Sequence, residues 1–126
     1  MGHVAWRLAV AQRDRERIDS TARAVLDCAA DAILAIGPDR TISLWNPAAE
    51  RLFGWTAAEV VGLEPPFVPE ELRAEHHAVL ERIASGGQVS FATRRVRKDG
   101  AVLDLRIDAS RMTDSTGEFS GWVFVC

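Results

Sequence analysis

The N-terminal stretch places apolar or small side chains at Val4, Leu8, Ala11, Ile18, Ala22, Val25 and Ala29. Apart from a break at Arg15, the steps alternate four and three, which draws one stripe along a helix. A polar run from Gln12 to Arg17 covers the other faces. Residues 4–29 therefore read as an amphipathic helix. It either packs on its own domain or pairs with a second copy as a short coiled coil.

After that helix the period changes. Ala32 to Ile36 is a short apolar run closed by Gly37-Pro38-Asp39, and Thr41 to Trp45 is a second strand candidate, so the two make a hairpin. Asn46-Pro47 then supplies a helix cap and a first-turn proline, and the helix runs to Phe53-Gly54. Thr56 and Glu59 form a capping box for another short helix, with Trp55 and Val60 spaced as a hydrophobic staple and Gly62 as the stop. Pro65, Pro66 and Pro69 mark a loop. A longer helix is expected from about Glu70 to Ala84, ended by Ser85-Gly86-Gly87. Strands follow at Gln88 to Arg97 and Ala101 to Met112, joined by Asp99-Gly100, and at Phe119 to Val125 after a polar turn. This order gives an α+β fold, a five-stranded antiparallel sheet with helices on one face.

Composition narrows the class without changing that picture. At 126 residues and 48% hydrophobic, the chain can bury a single core. A net charge of −3 gives no electrostatic reason to expect nucleic acid. No apolar run is long enough to cross a membrane and no secretory signal opens the chain, so a cytoplasmic location is expected. Cys28 and Cys126 form no metal spacing and read as reduced thiols.

Two stretches carry a resemblance. Residues 31–62, DAILAIGPDRTISLWNPAAERLFGWTAAEVVG, and residues 97–125, RKDGAVLDLRIDASRMTDSTGEFSGWVFV, are similar to the opening and closing signatures of PAS sensory domains. The pattern is nearest to those of bacterial sensor histidine kinases. The resemblance implies a PAS domain over residues 22–126, preceded by a coiled-coil-like helical segment at 1–21. Many relatives carry Gly where this chain has Arg40, which bears on the geometry of the first turn. In the family an Asp-Ile-Thr segment usually follows the last strand. The chain stops at Cys126, where that segment would begin, so it looks like a piece of a larger signalling protein.

The resemblance also implies a cavity between helices and sheet. Its expected lining is Ile33 or Leu34, Phe53, Val60, Phe67, Leu72, His76, Leu80, Phe91, Leu105, Ile107 and Val123. The plain alternative for each of these residues is core packing. Leu72, His76, Leu80 and Ile83 share one helix face, which turns His76 inward and His77 outward. In the oxygen-sensing haem kinases of the family, a His on this helix binds the iron. The local pattern there resembles Arg73-Ala74-Glu75-His76 with an Arg six residues on, here Arg82. Haem on His76, with Arg82 at a propionate, is thus one reading. A neutral core histidine is the other. The strand position that supplies a polar Arg to bound oxygen in those sensors corresponds to Phe91. Flavin photochemistry through a cysteine adduct lacks its thiol, because no Cys lies between Cys28 and Cys126. The ligand itself is unspecified.

The expected function is sensory and regulatory: a small ligand in the cavity, relayed through flanking helices to an effector such as a kinase, cyclase or transcription factor. The runner-up is a ligand-free interaction module, dimeric through the N-terminal helix, with Trp45 and Trp122 as anchors on the outer sheet face. An enzyme reading finds no support. His77 and Glu81 share a face but spacing marks no third metal ligand, and no phosphate loop or nucleophile elbow occurs. Any catalytic domain is expected outside this chain.

Overall fold

The computed structural model describes residues 20–126. Residues 20–28 are helical (α1). The expected seam positions Val4, Leu8, Ala11 and Ile18 lie outside the described residues. Of the remaining ones, Ala22 is exposed and Val25 is 64% exposed. The chain then forms β1 (Ile33–Ile36), β2 (Ile42–Trp45), α2 (Pro47–Phe53) and α3 (Ala57–Val60). A single 3-10 turn (Glu70–Leu72) leads into α4 (Arg73–Ala84), followed by β3 (Gln88–Val96), β4 (Val102–Thr113) and β5 (Phe119–Val125). The long helix expected from residue 70 is thus α-helical only from Arg73, its first turn being 3-10 after Pro69.

The five strands form one antiparallel sheet in the order β2-β1-β5-β4-β3. Its inner face and the helices enclose a core that includes Leu34, Ile36, Phe53, Phe67, Leu80, Ile107 and Phe124, all fully buried. Local chemistry explains the joints. Asn46 caps α2, its side-chain oxygen accepting the Ala49 N–H at 2.9 Å. Gly54 ends α2 in the left-handed region at φ 86°, where a side chain would be strained. The Glu59 carboxylate accepts the Thr56 N–H at 2.9 Å and so secures α3. The Asp99-Gly100 hairpin closes with Arg97 N–H to Ala101 C=O and Gly100 N–H to Arg97 C=O, both at 2.9 Å. A Cβ on Gly121 would lie 2.3 Å from the Ile36 carbonyl, so only glycine lets β5 approach β1 there.

Arg40 occupies the left-handed region at φ 69°, the sole non-glycine among the described residues to do so. The first hairpin therefore keeps the backbone shape that glycine adopts freely, and Arg40 bears the strain.

Candidate functional site

Side-chain alternation along β3 determines what faces α4. Val89, Phe91, Thr93 and Arg95 take the inner side, while Ser90, Ala92 and Arg94 are exposed on the other. On β4 the inner positions are Leu103, Leu105, Ile107 and Ala109. Across from them, α4 turns His76, Leu80 and Ile83 inward and leaves His77 exposed. Leu72, on the 3-10 turn, is half-buried against the same core.

Two polar side chains lie in this apolar layer. His76 is 4% exposed, its ring edge-on to Phe124 with centroids 6.0 Å apart, and its Nδ1 has no hydrogen-bond partner among the described residues. Burial first, and then the Arg95 charge with smaller contributions from His77, Arg40 and Arg73, lowers its pKa to about 4. Arg95 is fully buried. Its Nη1 donates to the Thr93 hydroxyl at 3.0 Å and to the Arg94 carbonyl at 2.9 Å, whereas Nε and Nη2 have no partner among the described residues. The Thr93 hydroxyl in turn donates to the Glu75 carboxylate on α4 at 2.9 Å. Beside this link a groove of about 520 Å³ opens, lined among others by Leu72, Glu75, Thr93 and Leu105. Arg111 also has a buried Nε without a partner among the described residues; its guanidinium lies over the Phe119 ring at 5.6 Å, and that ring packs edge-on to Trp122.

The expected lining is brought together in part. Phe53, Val60, Phe67, Leu80 and Ile107 are fully buried, and Leu72, Phe91 and Leu105 pack half-buried against them. Of the Ile33 and Leu34 pair, Leu34 is the inward one. Val123 does not line the layer; its neighbours Trp122 and Phe124 face in, and Val123 takes the opposite side. The two proposed outer-face anchors are also inner residues. Trp122 is 3% exposed and its indole N–H donates to the Leu80 carbonyl at 2.8 Å. Trp45 is 6% exposed, clustered with Phe53 and Phe67. Arg82 is exposed, outside this constellation. Arg95 was not among the expected site residues. The available signal was its parity with Phe91.

A haem does not fit this packing. The Trp122–Leu80 bond fastens α4 directly to β5, and Phe124 stands against the His76 ring, so no slot for a porphyrin separates His76 from the sheet. The charged group across from α4 is Arg95, and the Phe91 position is apolar. Among the described residues no cluster of three His, Cys, Asp or Glu side chains forms a metal site, and no helix is long and apolar enough to cross a membrane. Cys28 is exposed on α1, and burial raises the Cys126 thiol pKa to about 12.

A family model described as the PAS fold matches residues 20–126. Sensor protein FixL of Bradyrhizobium diazoefficiens is 29% identical over 109 residues, covering 80% of this chain and 21% of that protein. The chain thus spans about a fifth of that curated relative. Among solved structures, a PAS domain of a Colwellia psychrerythraea protein superposes with a TM-score of 0.76 at 17% identity, covering 86% of this chain and 93% of that one. An RNA-binding light-oxygen-voltage receptor superposes with a TM-score of 0.75 at 28% identity, covering 85% and 31% respectively. With the signature stretches, the sheet order and the family match in agreement, the chain belongs to the PAS family of sensory, regulatory domains.

Proposed function

We propose that this domain takes a small molecule into the layer between α4 and the sheet and relays its presence through the helix that precedes β1. The observation that carries the reading is the His76–Arg95 pair, two buried polar groups with unmet hydrogen bonds in an otherwise apolar layer. A domain that only had to fold would gain by replacing them with hydrocarbon. Relay has a physical route. The Asn46 amide, which caps α2, also donates to the Leu26 carbonyl on α1 at 3.2 Å, so a shift in the sheet is felt by the flanking helix. The exposed flank of α1, Val25 included, supports a homodimer built through that helix. In the whole protein the output belongs to an effector domain such as a histidine kinase of a two-component system, and the domain works in the cytoplasm. Relatives named as a sensor and as a light receptor support the sensory part of this reading.

Thermal shift and native mass spectrometry of the full chain test it. A saturable rise in Tm with a small-molecule library, or a retained ligand mass, is the expected result. A chain that binds no compound yet dimerises by light scattering would instead be an interaction module.

A further inference from the structure

The pattern of satisfied and unsatisfied atoms on Arg95 says what kind of molecule the layer accepts. A guanidinium stays charged in a protein and carries five N–H donors. Among the described residues, acceptors reach Nη1 alone. The two atoms left without partners, Nε and Nη2, form one edge of the fork, with their N–H bonds parallel. That edge matches the two oxygens of a carboxylate. No carboxylate among the described residues fills it. Glu75 is the acid whose charge acts on Arg95, yet its carboxylate accepts from Thr93 and makes no ion pair with the guanidinium.

We propose that the Nε/Nη2 edge of Arg95 anchors the carboxylate of a small organic monoacid, an inference that rests on the ligand-sensing reading above. Two further observations shape the ligand. Arg95 pairs across the strands with Leu103 and feels the Glu75 charge and the His76 ring, so the layer holds one cation already partly balanced by Glu75, which limits the ligand to a single negative charge on an apolar body. The groove lined by Leu72, Glu75, Thr93 and Leu105, with Ala92, Arg94, Asp104 and Arg106, is not lined by Arg95, and the acid's route from it runs through the Thr93–Glu75 hydrogen bond that ties β3 to α4. Opening that link admits the acid. Because Thr93 also accepts from Arg95, occupancy of the guanidinium is communicated directly to α4.

The test is titration of the full chain with aliphatic monocarboxylates from acetate to hexanoate, followed by thermal shift and calorimetry, with the matching primary amides and inorganic phosphate as controls. A saturable carboxylate response is expected, at least tenfold weaker for the amides and for phosphate. Arg95→Met should abolish it while the chain stays folded. Arg95→Lys, which keeps the charge and loses the fork, should weaken it at least tenfold. A response retained in Arg95→Met, or equal for phosphate, overturns the proposal. If carboxylates fail while native mass spectrometry still finds another small molecule bound, the anchor is wrong and ligand sensing stands. If nothing binds, both fall.

Discussion

Asn46 and Arg95 are both buried polar side chains, and the protein treats them in opposite ways. Asn46 is 3% exposed and all four of its hydrogen bonds are made. Its oxygen accepts from Ile33 and Ala49, and its amide donates to Leu26 and Asp31, with distances from 2.9 to 3.2 Å. One side chain thus joins α1, β1 and α2. Around it the core is closed by the Trp45, Phe53 and Phe67 rings, with centroids 4.7 to 5.6 Å apart, and the Trp45 N–H is satisfied by the Trp55 carbonyl. At the other end of the same layer, Arg95 and His76 keep three nitrogens without partners among the described residues. Buried polar groups are normally satisfied, so the first end is built for stability, whereas the second keeps polar atoms that the described residues do not satisfy.

The comparison breaks first at Asn46. Asn46→Ala removes the α2 cap and strands the Ile33 N–H together with the Leu26 and Asp31 carbonyls, so a loss on the order of 3 kcal/mol is expected from urea denaturation. A loss under about 1 kcal/mol would mean the joint is a simple cap.

Acid probes the open end. The His76 pKa lies near 4 in the fold against 6.5 for a free imidazole. The folded state therefore refuses a proton that the unfolded chain accepts. Its contribution to stability is full above about pH 6.5 and is lost as pH falls toward 4, by roughly 3 kcal/mol in all. Carboxylates titrate in part of this window, so the quantity to measure is the difference between wild type and His76→Leu. That difference should carry the pH dependence assigned to the imidazole, which the His76→Leu chain lacks. An identical slope in both chains would place the effect elsewhere.

The smallest expected effect lies outside both regions and calibrates them. Arg40→Gly relieves the positive φ of the first hairpin and forfeits only a 3.7 Å ion pair with Glu81 on the surface, so a gain of about 1 kcal/mol is expected in the same denaturation assay.

The contrast between the two ends also marks what the sequence made legible. Asn46-Pro47, Thr56 with Glu59, and Asp99-Gly100 each have a local mechanism, and each element they delimit lies within a residue or two of its expected bounds. The fold class followed from them. Facing was harder. Trp122, Val123, Phe124 and Val125 are apolar on both sides of β5, so alternation carries no direction there, and Trp122 and Val123 were assigned to the wrong faces. In β2 the adjacent Leu44 and Trp45 pose the same ambiguity, and the register shift between Ala35 and Ile36 adds to it. Arg95 was hidden for another reason. In the run Arg94-Arg95-Val96-Arg97 at an edge strand, charge reads as solvated surface, and only counting by twos from Phe91 turns Arg95 inward. The open end is the place where local rules fail, because an arginine turned inward on an edge strand follows no local signal.

The most direct test of the contrast is the unfolding free energy of Arg95→Met, measured by urea denaturation without added carboxylate. An unpaired buried charge replaced by a well-packed thioether should raise stability by about 1 to 2 kcal/mol. A fall as large as that of Asn46→Ala would show that Arg95 is a satisfied member of the core and would contradict the account.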